Sequence, residues 1–321
     1  MSNAPRTFKN LLLLSGGSKV AIARIAKKAT QSRGATLHIS DTRAQVPTRE
    51  IADEFTLLPT HTAHDWSSAL KELCQKASIG LVIPTRHTEL LALQDLKPEL
   101  ESQGTAVSLS GENTLKTCIH KLDTHEFFQK NQIPSPTTFT KTTLPPEIRY
   151  PLIAKPQAGA SSAGISEIQN ADELANVPSD WILQSKASGI EFTVNLYLDK
   201  NGKPLCIIPH ERIAVESGEV VQARTRRIPK LIEICKSIAQ ALPDASGIIN
   251  IQAFYDQNAN TVSVIEINPR IGGGYPLCDA AKGHYIEWLC QEHLDHKAPQ
   301  SFQAWTENLL MMRYREALFS L

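Results

Sequence analysis

The N-terminal third of the sequence alternates short apolar runs with longer segments whose apolar side chains recur at helical spacing, and no other feature constrains the fold as strongly. Strands are predicted at residues 9–14, 36–39, 54–58 and 80–84, and helices at residues 19–32 and 66–76. Strands that alternate with helices pair in parallel, and helices then cover both faces of the sheet. The sequence therefore predicts an α/β domain with a parallel sheet over residues 1–112.

A turn with two adjacent glycines, residues 15–18, follows the first predicted strand. It lacks the Gly-x-Gly-x-x-Gly spacing of dinucleotide sites, which argues against a dehydrogenase with a nicotinamide or flavin cofactor. Ligands of open α/β sheets bind at the carboxyl ends of the strands, which here carry Ser15, Asp41 and residues 84–89. Glu89 is therefore a candidate contact to substrate; capping of the helix that follows is the alternative.

Beyond residue 112 the pattern changes to short strands mixed with helices, which indicates an α+β region. Residues 113–131 are predicted to be helical, and the prolines within residues 133–136 end that helix. Further strands are predicted at residues 152–155, 181–185, 191–198, 204–208, 247–255 and 261–267, and further helices at residues 171–175 and 229–241. The sequence predicts no role for residues 305–321.

Charge and cysteine content disfavour several classes of protein. The 321-residue chain carries 33 acidic and 33 basic side chains, whereas binding to nucleic acid or an anionic membrane normally requires a basic surface. The apolar run at residues 11–14 is too short for a signal peptide core or a membrane span, so we expect a cytoplasmic protein. Six scattered cysteines lack zinc-ligand spacing and are predicted to be reduced and mostly buried.

The most informative segment is residues 264–274, where a predicted strand leads into a glycine-rich loop. Alternate side chains of a strand share a face, so Glu266 and Asn268 should point one way while Ile265 and Ile267 point into the core. Two oxygen ligands would then face the same side. The alternative is that both are ordinary exposed residues of a two-faced sheet.

A predicted hairpin adds a third oxygen donor to this patch. If the turn at residues 256–260 is symmetric about Ala259, Gln252 on the preceding strand lies opposite Glu266. Three oxygen donors on one patch suit Mg²⁺ or Mn²⁺, which favour hard ligands. Arg270 follows just past the strand, where its guanidinium can reach a phosphoryl group held beside the metal.

A second segment also indicates phosphate binding. An apolar strand ends at Lys155, and a loop of small residues, 158–164, follows it. The backbone N–H groups of such a loop can surround phosphate oxygens, although a plain linker would have the same composition. The loop is not a Walker motif, because Ile165 stands where that motif requires a lysine.

These elements, in this order, resemble the ATP-grasp superfamily, and in particular the branch of the ATP-binding halves of carbamoyl-phosphate synthetase. The matching motifs are Lys121-Leu122-Asp123, Ile133-Pro134-Ser135-Pro136, Lys155-Pro156 with its glycine loop, Trp181-Ile182-Leu183-Gln184 followed by Gly189-Ile190-Glu191, and Glu266-x-Asn268-Pro269-Arg270. The resemblance covers nearly the whole chain. It implies a pre-ATP-grasp domain at residues 1–112, an ATP-grasp domain at 113–300 whose two subdomains divide near residue 183 with ATP between them, and a tail at 301–321.

The resemblance also implies the site residues. The ATP-binding residues would be Lys121, Lys155, Ser161, Ser162, Gly164, Gln184, Lys186 and Glu191. Within this set the lysines would contact the phosphates, the segment from Gln184 to Lys186 would line the adenine slot, and Glu191 would hold the ribose. Gln252, Glu266 and Asn268 would hold two Mg²⁺ or Mn²⁺ ions, and Arg270 and Lys155 would act in catalysis. Gln184 stands where relatives often carry Glu.

The implied activity is that of a ligase that activates a carboxylate as an acyl phosphate with ATP and joins it to an amine. The polar stretch at residues 210–227 lies between predicted strands, and Arg212, Arg224 or Arg226 is expected to bind a substrate carboxylate; an exposed basic loop is the alternative. His210 in the same stretch is not expected to be catalytic.

Two other activities are compatible with an ATP-grasp fold. An enzyme that phosphorylates bicarbonate or carbamate is less favoured, because the chain has a single ATP-grasp unit and no Met-Lys-Met biotin-carrier signature. A catalytically silent ATP-binding module is disfavoured because Lys155, Glu266, Asn268 and Arg270 are all present. The expected partners are small molecules, with neither nucleic acid nor membrane, and the resemblance implies a homodimer.

Overall fold

The computed structural model describes residues 8–157 and 164–319, and its first sheet is parallel, as the sequence predicted. The strands are β1 (Asn10–Leu14), β2 (Leu37–Asp41), β3 (Glu54–Leu57), β4 (Ile79–Pro84) and β5 (Ala106–Val107). They lie in the order β3-β2-β1-β4-β5, and every neighbouring pair is parallel. The carboxyl ends of β1, β2 and β4 therefore meet at one edge of the sheet.

Helices cover both faces of this sheet, because alternate residues of β1 point to opposite cores. Leu11 and Leu13 belong to the core that contains α1 (Val20–Gln31), whereas Leu12 and Leu14 belong to the core that contains α2 (Trp66–Lys76) and α3 (Leu90–Ser102). The first core also includes residues of α8 (Tyr275–Ala280) and α9 (Tyr285–His293). The N-terminal domain is thus packed against the C-terminal part of the chain.

The predicted helix at residues 113–131 is divided in two. Helix α4 (Glu112–Ile119) ends before His120, whose extended backbone (φ −98°, ψ 125°) separates it from α5 (Lys121–Lys130). The Lys121 amide donates to the carbonyl of Gln157 at 3.1 Å, which joins the start of α5 to the end of a strand. The break therefore positions Lys121 beside the segment that carries Lys155.

A small antiparallel sheet follows. It consists of β6 (Thr138–Phe139), β7 (Leu152–Pro156), β8 (Ser166–Ile168) and β9 (Trp181–Ser185), in the order β6-β9-β7-β8, with the short helix α6 (Ala171–Ala175) after β8. Lys155 lies near the end of β7 and is almost fully buried. Ser161 and Ser162 lie outside the described residues.

The third sheet is antiparallel and contains the end of the chain. Its strands are β10 (Ile190–Leu198), β11 (Pro204–Glu216), β12 (Glu219–Thr225), β13 (Gly247–Asp256), β14 (Thr261–Asn268) and β15 (Leu310–Met312), and α7 (Pro229–Ala241) connects β12 to β13. The order is β14-β13-β10-β11-β12-β15. The change from the second sheet to the third falls between Ser185 and Ile190. The expected α/β domain followed by an α+β region is therefore confirmed.

One sequence prediction about this sheet was wrong. Residues 210–227, read as a segment between strands, form the second half of β11 and all of β12, joined by a two-residue turn in which Ser217 (φ 49°) and Gly218 (φ 77°) both have positive φ. The polar residues of this hairpin alternate with buried ones such as Val220 and Ala223.

The C-terminal segment is also more ordered than its sequence indicated. Strand β15 pairs with β12, with Leu310 opposite Arg224. Trp305 is buried, and the guanidinium carbon of Arg227 lies 3.9 Å from its ring centroid. Among residues 8–157 and 164–319, no helix has the length and apolar character needed to cross a membrane.

Candidate active site

A cavity of about 840 Å³ lies where the three sheets meet. Its walls come from the loop after β4, from β7 and β9, and from β10, β11, β13 and β14. The sequence-predicted residues that line it are Lys121, Lys155, Gln184, Lys186, Glu191, Arg212, Gln252, Glu266, Asn268 and Arg270. The structure thus brings together most of the residues that the sequence singled out.

The oxygen donors of β13 and β14 share one wall of this cavity. Gln252 lies opposite Glu266 in the antiparallel register. The Asn268 amide donates to Glu266 Oε1 at 2.7 Å, and Arg270 Nη2 donates to Asn268 Oδ1 at 3.3 Å. Asn250 supports this arrangement, since its amide donates to the Arg270 carbonyl at 2.9 Å. The chain from Glu266 through Asn268 to Arg270 is therefore held as one hydrogen-bonded unit.

The strand that carries these residues contains a β-bulge. The register shifts so that Gln252 pairs with Glu266 but the next residue, Ala253, pairs with Val264. Ile265 is left without a partner, and it lines the cavity beside Glu266, whereas Val264 is buried in the core. The expectation that Ile265 points into the core was wrong, because the extra residue reverses the alternation.

Three cations of this cavity interact electrostatically with Glu266. Lys155 is 5% exposed, and no hydrogen bond or ion pair joins its ammonium to another described residue. Burial lowers the pKa of Lys155 to about 8, with Glu266 opposing this change and Lys121 adding to it. Burial also lowers the pKa of the partly exposed Lys121 and Arg270; Glu266 opposes both changes, and Glu219 opposes that of Arg270. Three partly desolvated cations on one cavity favour binding of a polyanion.

The residues of this wall fit a hard divalent cation. Glu266 contributes a carboxylate, and Gln252 and Asn268 contribute amide oxygens, which are donors that Mg²⁺ and Mn²⁺ accept. Within the described segments, no group of three or more His, Cys, Asp and Glu side chains is placed to hold a metal. A metal at this wall would therefore rely on the two amides as well as on Glu266.

The predicted nucleotide contacts occupy another part of the cavity. Gln184 donates to Thr138 Oγ1 at 2.8 Å, and Lys186 pairs with Glu167 at 2.8 Å. Apolar side chains of Ile153, Phe254 and Ile265 line the same cavity and provide surfaces on which a planar ring can pack. Gly164 has a left-handed backbone (φ 80°) and does not line the cavity within the described residues.

Of the three arginines considered for substrate binding, Arg212 alone lines the cavity among the described residues. Its Nε lies 3.0 Å from Glu191 Oε1, and its side chain is 7% exposed. Arg226 instead pairs with Glu211 at 3.1 Å. Arg224 lies on β12, opposite Leu310 of the edge strand β15.

The sequence missed several cavity residues on the N-terminal domain and the hairpin. His87, in the loop after β4, has two buried ring nitrogens without a hydrogen-bond partner among the described residues. Burial lowers its pKa to about 4, and Arg270 adds to the effect, so the ring is neutral at neutral pH. Glu219 pairs with Lys19 at 2.8 Å and with Arg313 at 3.2 Å. The one sequence feature that indicates a role for His87 is its position just after a parallel strand, where ligands of such sheets bind.

Glu89 lies in a separate, smaller cavity of about 220 Å³ at the carboxyl edge of the parallel sheet. Ser15 donates to Glu89 Oε2 at 2.6 Å, and Arg86 Nη2 donates to Asp41 Oδ2 at 2.9 Å. Arg86 and Thr88 line both cavities. The two cavities are therefore neighbours that share one loop.

Family comparisons agree with this architecture. The family model for an ATP-grasp domain matches residues 118–274, and the model for a PylC-like N-terminal domain matches residues 11–108. The chain therefore contains an ATP-grasp domain that follows a PylC-like N-terminal domain. No curated protein matches the chain in sequence.

Solved structures show the same fold over nearly the whole chain. The biotin carboxylase domain of 2-oxoglutarate carboxylase from Hydrogenobacter thermophilus, solved as a dimer with MgADP, ADP and bicarbonate, has a TM-score of 0.75 at 15% identity and covers 95% of this chain and 73% of its own. N5-carboxyaminoimidazole ribonucleotide synthetase from Thermotoga maritima has a TM-score of 0.66 at 18% identity, and the match covers 92% of this chain and 78% of the synthetase. L-amino acid ligase from Bacillus licheniformis has a TM-score of 0.68 at 17% identity, and the match covers 91% of this chain and 75% of the ligase.

Proposed function

We propose that the protein is an ATP- and Mg²⁺-dependent carboxylate–amine ligase that forms an amide bond through an acyl phosphate. One observation carries this proposal: the buried ammonium of Lys155, which no described residue pairs with, lines the same cavity as Lys121, Arg270 and the oxygen donors Gln252, Glu266 and Asn268. This concentration of positive charge favours the binding of anions, and a nucleoside triphosphate beside a substrate carboxylate supplies them. The ATP-grasp domain supports the assignment of ATP.

In this proposal, ATP is the substrate that lies between the second and third sheets. Lys121 and Lys155 bind its phosphates, and the loop with Ser161, Ser162 and Gly164 covers them. Residues 184–186, which include Gln184 and Lys186, line the adenine slot together with Ile265. Glu191 accepts hydrogen bonds from the ribose hydroxyls and is oriented for this by its ion pair with Arg212.

Gln252, Glu266 and Asn268 would hold two divalent cations, either Mg²⁺ or Mn²⁺. Bound there, the ions neutralise phosphate charge and align the triphosphate. The hydrogen bonds that join Glu266, Asn268 and Arg270 keep these ligands in place before the nucleotide binds.

The chemistry proceeds in two steps. A substrate carboxylate oxygen attacks the γ-phosphorus, the bond to the bridging oxygen of the β-phosphate breaks, and ADP leaves. The amine nitrogen then attacks the acyl carbon, the bond from carbon to the phosphate oxygen breaks, and phosphate and a proton are released with the amide. Arg270 and Lys155 stabilise the negative charge that develops on the transferred group. Arg212 binds the substrate carboxylate.

The test is phosphate release from ATP and Mg²⁺ with pools of amino acids and small carboxylic acids, and with bicarbonate in a separate arm. We expect release that depends on a carboxylic acid pool together with an amine and that falls roughly 10²-fold or more in Glu266→Gln. Glu233→Gln, an exposed change on α7, is the matched control and should retain full activity. Release with bicarbonate alone would favour a carboxylase, and ATP binding without release in any arm would favour a silent binding module.

A further inference from the structure

The small cavity at the carboxyl edge of the parallel sheet carries two buried carboxylates. Asp41 ends β2, Glu89 precedes α3, and both line the cavity together with Ser15, which follows β1. The two carboxylates differ in their partners. Asp41 accepts from the Gly17 amide at 3.0 Å and from the Arg86 guanidinium at 2.9 Å, so a cation already neutralises it.

No cation pairs directly with Glu89. It is 3% exposed, it accepts hydrogen bonds from the Ser15 hydroxyl at 2.6 Å and from the Arg86 backbone amide at 3.4 Å, and it forms no ion pair with a Lys, Arg or His of the described residues. Burial raises the pKa of Glu89, and the hydrogen bond from Ser15 and the charge of Arg86 oppose this effect without cancelling it. An ionised carboxylate that is buried without a counter-ion loses hydration energy, which a bound cation restores.

The dimensions and walls of the cavity restrict which cation can bind. Its volume of about 220 Å³ compares with about 30 Å³ per molecule of liquid water, so a ligand of several non-hydrogen atoms fits. Leu14, Leu58 and Trp66, all buried, add apolar surface to the same cavity. A group with one charged end and a short aliphatic body matches this combination, and a bare metal ion would leave the apolar wall in contact with water.

The cavity also adjoins the proposed site of acyl transfer. Arg86 and Thr88 line both cavities, and His87, between them in sequence, lines the large one near Arg270. A ligand in the small cavity is therefore separated from the large cavity by a single loop.

We propose that the small cavity binds the amine substrate in its ammonium form before acyl transfer, with Glu89 as its counter-ion and Ser15 as the residue that orients Glu89. The nitrogen becomes nucleophilic when its proton passes to the Glu89 carboxylate. The ligand class is a primary amine on a short aliphatic chain. That this ligand is a substrate rests on the proposed ligase function. The binding itself is testable without turnover.

The direct test is ligand-observed NMR on the full chain with n-propylammonium chloride as the probe and n-butanol as its uncharged analogue of similar size. We expect the wild type to bind the ammonium and Glu89→Gln to bind it about tenfold or more weakly, since a hydrogen bond to a charged partner is lost. Glu101→Gln removes the same charge from an exposed position on α3 and should bind like the wild type. Equal binding by Glu89→Gln and the wild type, or butanol binding as tight as that of the ammonium, would overturn the proposal.

A second variant covers the case in which Glu89→Gln does not fold. Thr62 is an exposed residue at the rim of the cavity, so Thr62→Trp should leave the fold intact while it narrows the entrance. We expect weaker binding of n-propylammonium by this variant, and unchanged binding would count against the site.

Hydroxylamine separates the failure of this inference from that of the ligase function. It is largely uncharged at neutral pH and traps an acyl phosphate as a hydroxamate, so it does not need the ammonium site. We expect Glu89→Gln to form hydroxamate at the wild-type rate while its KM for the amine rises about tenfold. If the wild type forms no hydroxamate with any acid, the ligase function fails; if it does but Glu89→Gln has an unchanged amine KM, this inference alone fails.

Discussion

Gln252 and Glu266 lie opposite each other on neighbouring antiparallel strands, and the register shifts by one residue immediately beside this pair. The shift leaves Ile265 unpaired, so Ile265 and Glu266 both face the large cavity although they are adjacent in the sequence. In the proposed function, consecutive residues thereby supply a surface for the adenine and a ligand for the metal. A regular strand would expose one of them and bury the other.

The bulge predicts separate effects for two neighbouring substitutions. Ile265→Ala should raise the KM for ATP, because it removes apolar surface from the cavity, while the free energy of unfolding changes little. Val264→Ala should lower the free energy of unfolding by about 2 kcal/mol, because it leaves a void in the core, with the KM for ATP unchanged. Urea denaturation and ATP titration of both variants measure this, and the reverse pattern would contradict the bulged register.

Lys155→Met should stabilise the protein in the absence of ATP. The folded-state pKa of Lys155, about 8, lies below its ordinary value of 10.5, so the unfolded chain binds more protons and the stability of the wild type rises as pH increases from about 8 to 10.5. Removing the buried ammonium should raise the free energy of unfolding at neutral pH by roughly 1–3 kcal/mol. Denaturation without nucleotide measures this gain.

The same substitution should abolish the rise in melting temperature that ATP and Mg²⁺ confer on the wild type. Lys71→Met, which removes a partly exposed ammonium paired with Glu99 outside both cavities, is the control and should keep the ATP-dependent rise and leave the free energy of unfolding within about 0.5 kcal/mol of the wild type. A Lys155→Met variant that is less stable than the wild type would show that this ammonium is satisfied without ligand.

Arg212 and Arg226 provide a matched comparison, because they are neighbouring arginines of the same hairpin and only Arg212 lines the large cavity among the described residues. Arg212→Met should raise the KM for the carboxylate about tenfold or more, since a charged hydrogen bond to substrate is lost. Arg226→Met breaks a half-exposed pair with Glu211 and should change this KM less than about twofold. Similar losses in both variants would indicate a structural effect on the hairpin.

Glu89 should make the stability of the protein depend on pH. Its folded-state pKa is raised, so the folded protein binds more protons than the unfolded chain between the ordinary glutamate value and the raised one, and stability falls as pH rises through that window. Glu89→Gln lacks this dependence. We expect the variant and the wild type to have similar stability in acid and the variant to be more stable at neutral pH, as measured by urea denaturation at several pH values. A wild type that is more stable than Glu89→Gln at neutral pH would contradict this.

The sequence predicted the architecture well because the first domain depends on simple alternation. Period-two and helical patterns located β1 and α1, and the strands at the end of the third sheet were placed by the same rule. These strand and helix positions depend on local periodicity, which a single sequence contains. Gln252 lies opposite Glu266 as predicted, but not through symmetry about Ala259. Near the turn Asp256 pairs with Thr261, which centres the hairpin between Asn258 and Ala259, and it is the bulge at Ile265 that brings Gln252 opposite Glu266.

The features that the sequence did not predict depend on tertiary packing. The bulge at Ile265, the break at His120 and the pairing of β15 with β12 leave no local pattern, since each is stabilised by contacts with distant residues. The hairpin of β11 and β12 has no clear sequence signal, because its many polar residues mask the alternation of exposed and buried positions. The cations that interact with Glu266 could be predicted by family resemblance, but the small cavity with Glu89 required the geometry of the sheet edge.

The most direct test of the ligase mechanism is isotope transfer from the carboxylate to phosphate. With an acid substrate labelled with ¹⁸O in its carboxyl group, the released phosphate should contain one labelled oxygen for each amide formed, because the attacking carboxylate oxygen stays with phosphorus when the acyl bond breaks. Mass spectrometry of the phosphate measures this, with ¹⁸O-labelled bicarbonate in a parallel reaction. Unlabelled phosphate in the presence of amide product would contradict the acyl phosphate, and label that comes from bicarbonate would assign the activity to a carboxylase.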